Sequence, residues 1–207
     1  MAASNRSRRR NGDERRRELC DAAIQVLAEH GSRGLTHGRV DRGAGVPDGT
    51  TSYYYRTRDA LLRGVGKRVA EIDIANLQSV IDAPPDPQSP FARLAELTLM
   101  QADGPGLMLN RARQELLLGA VRDPDLAATS QTFVARMNAM AHDAIAHLQP
   151  GTDDPALLDA QTMAVMTFIA GVFTRLASGD RSIDDAEQLT RLLEAVATAV
   201  SLQAQRT

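Results

Sequence analysis

The 207-residue chain has no tryptophan, a single cysteine and only 3% aromatic residues. Sheets draw on β-branched and aromatic side chains, so this shortage, set beside abundant Ala, Leu, Met and Arg, points to helices. Cys20 alone cannot close an intramolecular disulfide, and a reducing cytoplasm is the expected setting. The N-terminus lacks the apolar core of a signal peptide, and no apolar run approaches the ~20 residues of a membrane span, so no membrane partner is expected. His30, His37, His142 and His147 share no metal-ligand spacing with Cys20 or with a carboxylate pair. There is no phosphate-cradling glycine loop and no nucleophile elbow. No metal, cofactor or catalytic residue is therefore expected, and the chain does not read as an enzyme.

Charge is unevenly shared. Residues 1–68 carry 15 Lys+Arg against 8 Asp+Glu, while the remainder carries 9 against 18, so the overall −2 conceals a basic head on an acidic body. Neutralisation of phosphates supplies most sequence-independent affinity for DNA, so this distribution suits nucleic acid at one end only. Residues 1–12, with Arg6, Arg8, Arg9 and Arg10 and few apolar side chains, are expected to form a disordered basic arm that could enter a minor groove.

The most informative stretch is Thr36 to Tyr55, THGRVDRGAGVPDGTTSYYY. Thr36 caps a short helix that carries Val40 and Ala44 on one face and ends at Gly45. After Val46-Pro47, a second short segment follows, crowded with hydroxyls and rings from Thr50 to Tyr55. Asp48 is read as its cap. Two short helices joined by a glycine-containing turn read as helix-turn-helix, whose second helix suits a DNA major groove. Asp41 is a departure in this first short helix: either it finds a partner such as a nearby arginine, or the helix is loosely held until DNA is bound.

At these residues the chain resembles the TetR family of transcriptional regulators. The matching parts are Ala22-Ala23-Ile24 to Gly31, Thr36, Gly45-Val46-Pro47-Asp48-Gly49-Thr50, Tyr53 to Tyr55 and Thr57-Arg58-Asp59-Ala60-Leu61. The resemblance covers roughly the first third of the chain. It implies DNA contacts at Thr36, Arg39, Gly49, Thr50, Thr51, Ser52, Tyr53, Tyr54 and Arg58. Of these, Thr36, Tyr53, Tyr54 and Arg58 would dock on phosphates, and Gly49 to Ser52 would meet base edges. Tyr55 stands where the family buries an aromatic. For the rest of the chain the resemblance implies a ligand-binding and dimerising domain.

Taken in order, the chain reads as all-α, about nine helices, with a three-helix DNA-binding domain over 13–57 and a ligand-binding and dimerisation domain over 58–207. The first helix spans Asp13 to His30, with Cys20 packing on its apolar face. A fourth helix from Asp59 to about Asp82 repeats Leu61, Leu62, Val65, Val69, Ile72, Leu77 and Ile81, long enough to leave the head. Ser89 is expected to cap helix five with Pro90 at its first position. Helix eight, about Ala156 to Ala177, is apolar nearly all round, too short for a membrane, and expected to be covered on both sides by protein.

Helices eight and nine of two chains would make a four-helix homodimer interface through Met163, Phe168, Phe173, Leu189, Leu192, Leu193, Val196 and Val200. A pocket for a hydrophobic or amphipathic effector is expected from Met100, Met108, Met137, Met140, Met166 and Phe133, with Gln101, Arg111 and Glu115 as polar contacts. The expected function is a sequence-specific transcriptional regulator of a near-palindromic double-stranded DNA operator, a repressor released by an unidentified small molecule. The reading left open beside it is a helical small-molecule-binding or scaffold protein that has lost specific DNA binding.

Overall fold

In the computed structural model, residues 2–84, 86, 88–121, 124–149, 151 and 154–205 are described. Among them are nine α-helices and no strand: α1 Ala2–Gly34, α2 His37–Gly43, α3 Thr50–Tyr54, α4 Arg58–Ile81, α5 Ala92–Leu99, α6 Gly104–Ala120, α7 Pro124–Leu148, α8 Pro155–Ala177 and α9 Ala186–Ala204, with a 3-10 turn at Met100–Ala102. The chain divides into two compact units, Met1–Glu71 with Arg111–Gln131, and Ile72–Asn110 with Thr132–Thr207. The expected boundary after residue 57 is therefore not where the units part. The first half of α4 buries Leu61, Leu62, Val65 and Val69, and Arg68 grips Asp21 of α1 at 2.7 Å, so α4 belongs with the head as far as Glu71.

In the first unit the backbone of α1 is helical from Ala2, where a disordered arm is expected from composition. No proline interrupts residues 2–12, and arginine is a good helix former, so local propensity does not oppose the extension. The helix breaks at Gly31, whose φ of 65° and ψ of 179° interrupt the hydrogen-bond ladder. Leu19, Ala23 and Leu27 of α1, Leu35, Val40 of α2 and Leu61 and Val65 of α4 are buried in this unit.

The second unit buries Ile145, Leu158, Val165, Ile169, Val172, Leu176, Leu189 and Leu193, with α9 packed on α8 and α5. Asp154 caps α8, taking the Ala156 N–H at 2.9 Å with Pro155 at the first position, and Asp185 caps α9 through the Gln188 N–H. α5 departs from expectation: it begins at Ala92, and the Ala92 N–H bonds to the Ser89 carbonyl, so Ser89-Pro90-Phe91 forms a turn before the helix.

α8 also corrects the sequence reading. At 23 residues, with a mean hydropathy of 1.6 over its most apolar window, it is long and apolar enough to cross a membrane by length and composition. It buries one face, Leu158, Gln161, Thr162, Val165, Ile169, Val172 and Leu176, at helical spacing. The other face is open within the chain, with Met163 72% exposed.

Candidate nucleic-acid interface

α2 and α3 form the helix-turn-helix. The Thr36 hydroxyl accepts the Arg39 N–H at 3.3 Å, the capping role expected of it. The turn passes through Gly45 and then Gly49, which at φ 88° occupies the left-handed region that a side chain would strain. The N-cap of α3 is Gly49, which has no side chain to offer, and Asp48 does not supply the cap.

Asp41 supplies it. This residue of α2 is 1% exposed. One carboxylate oxygen accepts the Gly49 N–H at 2.8 Å, and the other accepts the Thr51 N–H at 2.7 Å and the Thr51 hydroxyl at 2.5 Å. Its partner is thus the start of the next helix rather than an arginine. Burial works to raise the Asp41 pKa, but the bonds from the Thr51 side chain and from the Thr51 and Gly49 amides outweigh it and hold the carboxyl below the ordinary range. Sequence reasoning marked Asp41 as anomalous; the acid eight and ten residues before two amide donors at a helix start was the available signal.

The structure sorts the expected DNA contacts. Ser52 and Tyr53 are exposed on α3, Tyr53 by 80%. Tyr54 is half-buried, edge-on to the Tyr53 ring at 5.1 Å, with the Arg16 guanidinium 5.3 Å over its own ring. Thr36, Arg39, Gly49 and Arg58 are exposed and Thr50 is half-buried. Three side chains are already engaged: Thr50 Oγ donates to the Pro47 carbonyl at 2.6 Å, Arg39 to the Gly34 carbonyl at 2.9 Å, and Arg58 to the Ser32 hydroxyl at 2.7 Å and the Ser32 carbonyl. Thr51 is a correction. It is fully buried with its hydroxyl on Asp41, so it cannot meet a base edge.

Tyr55 lies inward, as its family position implied. Its ring packs so closely on α4 that a Cβ at Gly64 would stand 2.6 Å from it, and its hydroxyl is 3.1 Å from the Cys20 thiol. Burial, reinforced by their mutual hydrogen bond in the case of Tyr55, pushes the phenol above its ordinary pKa; burial also raises the thiol. Cys20 is a buried packing residue, neutral and shielded.

The expected effector contacts are divided between the two units. Arg111 and Glu115 fall in the first unit, and Glu115 accepts the Ser32 N–H at 2.7 Å beside the Gly31 break. Met100, Gln101, Met108, Met140 and Met166 belong to the second. There Met100 is 64% exposed, Met140 and Met166 pack against the core, and Gln101 is 5% exposed. The side chains of Phe133 and Met137 lie outside the described residues. Two cavities of about 340 and 190 Å³ in this unit are lined by other residues, among them Phe91, Leu148, Glu194 and His147. Of the expected interface residues, Leu189 and Leu193 are wholly buried in the core of their own chain and cannot face a partner. Phe168, Phe173, Leu192, Val196 and Val200 are half-buried. Among the described residues no group of three His, Cys, Asp or Glu could hold a metal.

No family model matches the sequence, and no curated protein matches it. Solved structures do. A member of the TetR family from Streptomyces coelicolor A3 superposes with a TM-score of 0.65 at 26% identity, over 88% of this chain and 98% of the other. A transcriptional regulator from Rhodococcus sp. Rha1 gives 0.70 at 18% identity, over 91% and 96%. The multidrug binding protein EbrR complexed with ethidium gives 0.60 at 22% identity, over 88% and 98%. The chain has the fold of the TetR-family transcriptional regulators. That likeness spans nearly the whole chain, whereas the motif resemblance stops at about Leu61.

Proposed function

We propose that this protein is a homodimeric, sequence-specific DNA-binding transcriptional regulator, a repressor released by a small hydrophobic or amphipathic effector. The observation that carries the reading is α3 itself: a capped, one-and-a-half-turn helix in a basic head that turns Ser52 and Tyr53 outward, with Thr36, Arg39 and Arg58 of the same head also exposed. Hydroxyls and guanidinium groups at such positions position a protein on phosphates and read base edges. The TetR-family fold supports the assignment, and the likeness to EbrR, solved with ethidium, supports a small-molecule effector. The open face of α8, with Met163 and the half-buried Phe168 and Phe173, and the outer residues of α9, Leu192, Val196, Val200 and the exposed Leu202, are the surface offered to a second copy.

Two heads would then meet successive major grooves of a near-palindrome, and an effector weakens that arrangement by no more than its own preference for the released state. Asp41, an acid that would repel phosphate if it faced DNA, is instead buried and satisfied within the helix-turn-helix. A gel-shift on DNA flanking the protein's own gene tests the reading. Retardation that survives excess unrelated duplex is expected; none at low salt, or retardation indifferent to sequence, overturns it. Sedimentation at micromolar concentration is expected to give a dimer, and a lone subunit refutes the paired-head arrangement.

A further inference from the structure

A helix of five residues cannot hold its own shape in water, since helix nucleation is unfavourable and so few intrahelical bonds repay it. The direction in which α3 presents Ser52 and Tyr53 must therefore be imposed by what α3 is tied to. Its carboxyl end is tied through Tyr55, whose carbonyl is 2.7 Å from His37 Nε2 and whose hydroxyl meets Cys20. Its amino end is tied by Asp41, which holds the Gly49 amide before the helix and the Thr51 amide and hydroxyl inside it, one on either side of Thr50.

We propose that Asp41, through Thr51, is the positioning residue that sets the pose of the recognition helix and thereby the protein's discrimination between DNA sequences. The role rests on the DNA-reading function above. Two consequences follow from the geometry. The Gly49, Thr50 and Thr51 amides are all consumed internally, by Asp41, by the Pro47 carbonyl and by Asp41 again, so the start of α3 does not offer these amides to a phosphate. Reading is left to side chains, whose reach depends on the angle of α3. The buried negative charge sits against those amide donors rather than toward the duplex, so it does not oppose DNA in the way an exposed acid would. Loss of the clamp should accordingly spare the sequence-independent attraction of the basic head and cost the contacts that need exact placement.

The test starts with the full-length protein and a random duplex pool, from which wild type enriches an operator. Affinities for that operator and for a scrambled duplex of equal length are then measured at one salt concentration for wild type, Asp41→Asn, Asp41→Ala, Thr51→Val and Thr51→Ser, with thermal unfolding of each. Asp41→Ala is expected to weaken operator binding about tenfold or more while scrambled-duplex binding moves less than about twofold. Asp41→Asn and Thr51→Val should show the same loss of discrimination in smaller measure, and Thr51→Ser, which keeps the hydroxyl, should restore it. If Asp41→Ala fails to fold, Asp41→Asn and Thr51→Val decide the matter. Unchanged discrimination in both, with only the melting temperature lowered, overturns the positioning role and leaves the DNA-reading function standing. A wild type that enriches no sequence overturns that function, and the role falls with it.

Discussion

A buried acid in the head and a buried amide in the second unit are partnered to different degrees. In the head, Asp41 is almost wholly buried and both carboxylate oxygens are bonded, three donors in all. In the second unit, Gln161 is fully buried between α8 and α9 and donates to Gln149 at 3.1 Å and to Ser201 at 2.9 Å, yet its own oxygen, the Gln149 amide nitrogen and the Gln101 oxygen have no hydrogen-bond partner. A satisfied buried network specifies one arrangement, whereas one with open acceptors leaves competing arrangements close in energy. Three bonds therefore fix the Asp41 carboxylate through both its oxygens, whereas the Gln161 amide is held through its nitrogen.

The sharpest way to break this contrast is Asp41→Ala. It leaves the buried Thr51 hydroxyl and two amides without an acceptor and should cost about 2–4 kcal/mol. All three tyrosines stand at 53–55 and there is no tryptophan, so tyrosine near-ultraviolet dichroism in urea reports on the head, and its midpoint should fall ahead of the far-ultraviolet signal. Equal midpoints would show the head to be no separately specified unit.

Next in size is Gly64→Ala. Its methyl would meet the Tyr55 ring at 2.6 Å and should cost about 1–3 kcal/mol by overpacking, read by the same tyrosine signal.

Acid sharpens the comparison further. Because the folded pKa of Asp41 is lowered, its stabilisation is fully present above the unfolded carboxyl value and is lost as pH falls through the folded one. The stability gap between wild type and Asp41→Asn should be constant from pH 5 to 7 and close only in strong acid. A gap that closes above about pH 5 contradicts the lowered pKa.

Gln161→Met should be far milder, within about 1 kcal/mol in either direction, since it removes an unpartnered acceptor together with two useful donors. A loss as large as that of Asp41→Ala would erase the distinction between the units. The smallest effect on stability is expected for Tyr53→Ala, within about 0.5 kcal/mol at an 80% exposed site, while retardation of operator DNA falls clearly. Unchanged retardation would remove Tyr53 from the interface.

Much of this was legible in the sequence. Thr36 and the glycines at 31 and 45 mark helix ends because caps and positive φ are local matters, settled within three or four residues. The apolar row of α4 gave its buried face for the same reason. Misreadings arose where an answer depends on a distant partner. Thr51 looked like a base-reading hydroxyl until the neighbouring helix claimed it. Leu189 and Leu193 lie on the same stripe as Leu192 and Val196, and periodicity cannot say which side of a stripe faces its own core.

By itself, then, the amino-acid order determined an all-helical chain with a helix-turn-helix near its basic end, because hydrophobic period, caps and turn residues act over one or two turns of backbone. Only the tertiary structure decided what Asp41 is for, which hydroxyls remain free for DNA and how far the head extends. Those depend on hydrogen bonds and packing between segments that meet through the fold, and no local pattern records which segments will meet.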